Sequence, residues 1–240
     1  YTIQTEKKLT LSEIQHISES NSKLILSDKV KQDILKCRDY LDKKMASQKT
    51  PIYGINTGFG SLCNVIIPDN ELEQLQENLV KSHACGMGEE VPLEIVRLML
   101  LLKIQSLSYG KSAVQLQTVE RLVDFYNHNI YPIVYTQGSL GASGDLSPLA
   151  HLSLPLLGMG EVNYQGNKCN ALDVLNQLGL KPITLKSKEG LALLNGTQFM
   201  AAYGVWSLLK SNKLNTLADV IASISLDAFD DRHEPLKDNI

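Results

Sequence analysis

From Gly196 to about Leu226 the chain places Phe199, Tyr203, Trp206, Leu209, Leu214, Leu217 and Ile221 at helical spacing, with no proline in the run. Apolar residues recurring three to four apart describe one face of a continuous helix, about 45 Å long at 1.5 Å per residue. A helix of that length cannot bury its own apolar side and needs neighbouring helices to do so. This requirement sets the fold class: a mainly α chain in which residues 1–195 form one domain and residues 196–240 begin a central helical bundle. No internal repeat, low-complexity tract or Pro/Ser-rich linker divides it further.

The rest of the chain supplies further helices. Thr10 to Glu13 has the capping-box pattern ahead of Ile14 and Ile17, and Val30, Ile34, Cys37, Leu41 and Met45 share the face of a second helix. Asn70 is placed to cap a helix through Leu72, Leu75 and Leu79, and Pro92 to open one from Leu93 to Leu107 that is apolar on most sides and therefore buried. A helix around Val119 to Tyr126 leads into YPIVY, Tyr131 to Tyr135, a β-prone run. EVNYQGNKCN, Glu161 to Asn170, reads as a hairpin turning at Gln165-Gly166-Asn167, followed by a short helix from Ala171 to Leu178.

Several function classes are disfavoured. A net charge of −3 offers no electrostatic footprint for nucleic acid. The strongest apolar run, Leu98 to Leu102, is flanked by Arg97 and Lys103 and is far too short for a membrane span, and the N-terminal YTIQTEKKLTL lacks the apolar core of a signal peptide. Cys37, Cys63, Cys85 and Cys169 are scattered without ligand or disulfide spacing, which points to reduced thiols, a cytoplasmic location and no metal. The glycines of YGINTGFG, Tyr53 to Gly60, fit neither the dinucleotide fingerprint nor the P-loop, so no nucleotide is expected.

Four blocks carry chemistry: GSLGASGDLSPLAH from Gly138 to His151, YGINTGFG, KEGLALLNGTQ from Lys188 to Gln198, and NLVKSHACGMG from Asn78 to Gly88. In the first, Gly144 has no Cβ, so its amide nitrogen can approach the Ala142 carbonyl in a tight turn. Asp145 stands where a helix should start, and Leu146, Leu149, His151, Leu152 and Leu154 give that helix an apolar face. The asparagine of Asn195-Gly196-Thr197 reads as a helix break whose amide caps backbone groups. A Ser143-Asp145-His151 hydrolase triad is disfavoured, because the nucleophile-elbow spacing fails at Asp145.

Together the blocks resemble the aromatic amino acid ammonia-lyases, and within them the histidine-acting branch. The resemblance implies the N-terminal part of the fumarase/aspartase-like fold. It implies that Ala142-Ser143-Gly144 cyclises and loses two waters without a helper enzyme to form 4-methylidene-imidazol-5-one (MIO), the electrophile of the family. It gives Tyr53 the role of base for the substrate's β-proton and sets Asn195 beside the MIO carbonyl, with Gln198 in the same polar shell. A phenol titrates near 10, so that role needs about 3 to 4 kcal/mol of preferential phenolate stabilisation.

Ser82 and His83 then occupy the selectivity position, where the histidine receives the substrate imidazole, and Gly60 joins them in binding substrate. The implied reaction is elimination of ammonia from L-histidine to urocanate, in a homotetramer acting on a small amino acid, without metal, nucleic acid or membrane. The resemblance covers the first half of the family's usual length; an arginine for the substrate carboxylate, another tyrosine and an acidic residue have no counterpart here. The 240-residue chain alone is therefore expected to lack part of the site. Alternatives are a tyrosine or phenylalanine lyase or aminomutase of the same family, or a non-catalytic folding or oligomerisation module.

Overall fold

The computed structural model describes residues 1–47, 50–140, 143–230 and 232. Ala142 of the tripeptide lies outside the described residues. The architecture is mainly helical, with short strands at the helix ends, and the chain divides into two compact units, Tyr1–Ala202 and Tyr203–Ile240.

Strand β1 (Thr2–Ile3) pairs in parallel with β2 (Ile25–Leu26) on either side of α1 (Leu11–Glu19). The capping box of α1 forms as expected: the Glu13 N–H donates to Thr10 Oγ1 at 3.2 Å, and the Thr10 N–H donates to the Glu13 carboxylate at 2.8 Å. Helix α2 (Asp28–Ser47) buries Val30, Ile34 and Leu41, with Cys37 and Met45 partly buried against Leu41, Ile55 and Ala113. Arg38 on the same helix is buried because its guanidinium donates to the Ala113 and Ser187 carbonyls, each at 2.9 Å, and to Asp42.

Helix α3 (Leu72–His83) follows one tighter turn, Asp69–Glu71. Asn70 sits inside that turn, and the cap position falls to Glu71 with no side-chain bond; Pro68, with φ −58°, starts the turn before Asn70 can cap. After β3 (Met87–Glu90), α4 (Leu93–Ser108) forms the centre of the first unit, with Met99, Leu100, Leu101 and Ile104 fully enclosed. It packs against α2 and α5 (Leu116–Asn127).

The YPIVY run divides into two strands instead of one. β4 (Tyr131–Pro132) joins one antiparallel sheet, while β5 (Tyr135–Gln137) pairs antiparallel with β3 across a register shift. Between them Ile133 and Val134 turn into the core. Helix α6 (Leu146–Ser153) precedes the hairpin of β6 (Glu161–Tyr164) and β7 (Asn167–Asn170), which completes the sheet in the order β4-β6-β7. Its turn is the two residues Gln165 and Gly166, at φ 53° and 79°, so Asn167 is already strand. Asn170 then caps α7 (Ala171–Gln177), its Oδ1 accepting the Leu172 N–H at 2.9 Å. The short α8 (Glu189–Leu194) and the long α9 (Gln198–Ala228) complete the described chain. In the second unit α9 leaves Leu208, Leu214, Leu217, Val220, Ile221 and Ile224 exposed, the unpartnered apolar side its sequence demands.

Candidate active site

Helices α3, α6 and α8 pack pairwise, and each presents one motif at an end. α3 finishes on Ser82-His83, α6 starts directly after Ser143-Gly144-Asp145, and α8 hands its C-cap position to Asn195. Contact between α3 and α8 is close enough for the Gly190 N–H to donate to the buried Gln76 Oε1 at 2.9 Å. The Tyr53 turn rests on the same helix. Gly54 stands at φ +71°, which favours glycine, and a Cβ there would lie 2.6 Å from Leu191 Cδ2, so a larger residue would also make the end of that side chain shift. Tyr53, His83, Ser143 and Asn195, far apart in sequence, thus stand on segments gathered in one unit.

Ser143 Oγ is buried and has no hydrogen-bond partner among the described residues. Gly144 has φ +87°, while among the described residues a Cβ would meet nothing nearer than Met200 Cε at 3.9 Å, so glycine is needed here for its dihedral. Ser139 Oγ donates to the Gly144 carbonyl, fixing the far side of the turn.

Asp145 departs from the expectation of a simple helix cap. It occupies the N-cap position of α6 but makes no side-chain bond to that helix. The usual donor, the third helical N–H, is missing because Pro148 stands there. The carboxylate turns instead to the first turn of α9: Oδ2 accepts from Phe199 N at 2.9 Å and Met200 N at 3.1 Å. Those are orphan donors at a positive helix end, which makes this buried acid well matched to its place.

The remaining expected site residues are positioned as follows. His83, half-buried, donates from Nδ1 to its own helix carbonyl, Leu79 O, at 2.9 Å, which leaves Nε2 as an acceptor in the neutral ring. Ser82 Oγ donates to the same carbonyl at 3.1 Å. Asn195 Nδ2 donates to Leu191 O at 3.1 Å, which orients the amide and leaves Oδ1 available. Tyr53 is 57 % exposed, edge-on to Phe59 at 6.0 Å. Gly60 begins a single tight turn, Gly60–Leu62, and Gln198 Oε1 is buried without a partner among the described residues.

Other residues that hold the site carry little sequence signal. Glu189, completely buried at the start of α8, looks like an ordinary first-turn acid. Its carboxylate accepts from Gln115 N, Gln115 Nε2, Thr118 Oγ1 and Lys186 N at 2.6–2.8 Å. Lys103 does leave a trace: it is a single cation in an otherwise apolar stretch of α4. His151 falls on an apolar face by its spacing, yet its Nε2 accepts the Gly86 N–H at 2.9 Å, with the ring edge-on to Tyr135 at 5.1 Å, and so anchors the segment after His83. With Asp145 engaged by α9 and His151 by Gly86, neither bonds Ser143, and a hydrolase triad is absent among the described residues.

Burial lowers the pKa of His151 below the ordinary histidine value. As pH falls, the unfolded chain takes this proton first, so the stability contributed by the neutral ring is present above the ordinary histidine pKa and is lost as pH drops through the lowered one. Urea midpoints should therefore fall between about pH 8 and about pH 5, less so in His151→Gln, whose amide oxygen still accepts from Gly86 without titrating. An identical drop in that variant would assign the acid sensitivity to other groups.

The family profile described as aromatic amino acid lyase matches residues 9–240 of this sequence. The chain belongs to the aromatic amino acid lyase family. Histidine ammonia-lyase 2 of Fusobacterium nucleatum is 45% identical over 221 residues, spanning 92% of this chain and 43% of that protein. The crystal structure of histidine ammonia-lyase from Trypanosoma cruzi superposes with a TM-score of 0.86 at 38% identity, covering 95% of this chain and 45% of that one. An ergothionase from Treponema denticola, in complex with desmethyl-ergothioneine sulfonic acid, gives a TM-score of 0.90 at 26% identity over 99% of this chain and 47% of that one. The chain thus spans less than half the length of the relatives it matches. These two structures share the mainly helical fold described above. Among the described residues, no helix is long and apolar enough to cross a membrane, and no group of three His, Cys, Asp or Glu side chains could hold a metal ion.

Proposed function

We propose that this chain carries the electrophile-forming part of an ammonia-lyase that converts L-histidine to urocanate and ammonia. The observation that carries the proposal is Ser143: a buried hydroxyl without a partner among the described residues, next to a glycine at φ +87°, just before α6, the helix that packs on α3, which ends at His83, and on α8, which ends at Asn195. A buried hydroxyl left unbonded is costly in a finished structure. It fits a side chain that is to lose its oxygen, and the Gly144 dihedral fits a turn that is to close. In the closure, Gly144 N bonds to the Ala142 carbonyl carbon, whose oxygen leaves as water with the Gly144 and Ser143 amide hydrogens. The second water takes Ser143 Oγ and its hydrogen together with the Ser143 α-hydrogen.

The MIO ring so formed would supply an electron-poor carbon to which an amine adds and from which it can leave. Asn195, its amide turned by Leu191, holds a carbonyl oxygen or the substrate. The acceptor Nε2 of His83 receives an imidazole N–H, with Ser82 Oγ 3.1 Å from the Nδ1 of the same ring and Gly60 binding substrate from the turn it opens. Tyr53 takes the β-proton on its phenolic oxygen. The exposed apolar row of α9 supports assembly through that helix, and we place the protein in the cytoplasm as a homo-oligomer, a tetramer by resemblance, with no metal or nucleotide.

Intact-mass measurement of the full-length protein tests the reading: the tripeptide should be lighter by two waters, and histidine should yield urocanate. Turnover with a linear tripeptide would refute it. Because an acceptor nitrogen can also receive a phenol, selectivity is tested separately. His83→Leu should shift the ratio of kcat/KM for histidine over phenylalanine by roughly 2 to 4 kcal/mol toward phenylalanine, since a site that pairs a polar ring rejects an apolar one. An unchanged ratio would move selectivity to another residue.

A further inference from the structure

Lys103 is the one lysine enclosed in the core of the first unit among the described residues, 2 % exposed on the central helix α4. A buried ammonium persists only where acceptors and an opposite charge offset its lost hydration. Its acceptors are specific. Nζ donates to Ala192 O at 2.9 Å and, at the long limit of 3.5 Å, to Asn195 O. Both carbonyls lie at the C-terminal end of α8, where the helix dipole is negative and the last carbonyls lack intrahelical partners. The opposite charge that acts on it is Asp145, the residue that follows Gly144, without a direct ion pair between the two. Burial lowers the lysine pKa to about 7, and the Asp145 carboxylate pulls it back upward.

Two loops with no chain connection nearby therefore lie under the influence of one buried cation, the first through direct hydrogen bonds and the second through charge alone. One ends α8 and carries Asn195; the other carries Ser143-Gly144 and is tied through Asp145 to the first turn of α9. Neither Gln76 nor Glu189 performs this service, because both hold the opposite end of α8.

We propose that Lys103 is a positioning residue for maturation of the Ser143-Gly144 turn, holding the Asn195 end of α8 by its hydrogen bonds, with its charge set opposite the Asp145 carboxylate, while the ring closes. The inference rests on the reading that this tripeptide cyclises. Ring closure is an intramolecular attack, so it depends steeply on placement, and a shift of about 1 Å costs on the order of a hundredfold in rate. Lys103→Met removes the charge and the donors with similar length. Lys103→Gln keeps an N–H donor without the charge and carries the test if the Met variant does not fold.

The experiment follows the intact mass of the freshly expressed full-length protein over time, with circular dichroism and melting recorded in parallel. Native-like spectra with two-water loss slowed about a hundredfold in a Lys103 variant would support the proposal. A variant that melts lower yet loses both waters at the wild-type rate would overturn it, because Lys103 would then be a packing residue only. The proposal is equally overturned if both variants fail to fold while Asp145→Asn, which removes the partner charge, folds and matures at the wild-type rate. A wild-type protein that never loses the waters would instead refute the cyclisation reading itself, a result distinguishable from the other two.

Discussion

Ser143→Ala should remove turnover while leaving the fold intact. The Oγ atom has no partner among the described residues, so its deletion breaks no bond, and the methyl group stays in the space the serine occupies. Stability should stay within about 0.5 kcal/mol of wild type. Turnover should fall by at least about 5 kcal/mol in barrier, more than a thousandfold, because on the proposed reading the variant lacks the oxygen whose loss would create the electrophile. Intact mass separates the causes: the alanine variant should show no side-chain dehydration. Normal turnover in a protein of native melting behaviour would place the electrophile elsewhere.

Glu189→Ala should be the most destabilising single change at the site. The carboxylate is fully enclosed and receives four donors, two of them the backbone amides of Gln115 and Lys186. Removing it takes the acceptor from the Gln115 and Lys186 amides and the buried Thr118 hydroxyl, while Gln115 Nε2 keeps Thr184 O, and the cost should be about 3 to 5 kcal/mol in urea unfolding. Glu189→Gln, which can accept at one oxygen only, should fall between. Loss of less than about 1 kcal/mol in the alanine variant would mean that these donors find other partners at no cost.

How much of the molecule is legible in its sequence differs by kind of signal. Helices written in apolar periodicity are readable, as α2 and α4 show, and so are caps written in adjacent residues, such as Thr10 with Glu13. The site motifs are readable because they are contiguous strings. What stays hidden depends on partners distant in sequence. Asp145 has the residue type and position of a cap for α6, and only the missing N–H of Pro148 and the arrival of α9 explain why it bonds Phe199 and Met200 instead. YPIVY is β-prone throughout, yet its two ends find different sheets because β6 and β3 lie on opposite sides of Ile133 and Val134. Glu189 and Lys103 look solvated by type; their burial follows from acceptors and donors contributed by residues about 70 to 90 positions away.

The clamping of α8 also sets an order of events after synthesis. Six residues are too few to hold a helix by themselves, so this one becomes persistent only when Gln76, Lys103, Gln115 and Thr118 have already come together. Those contacts close long loops and belong to the slow, late part of chain collapse. On the proposed reading, ring closure should thus wait for these contacts, and a newly made molecule should remain unable to react until they have formed.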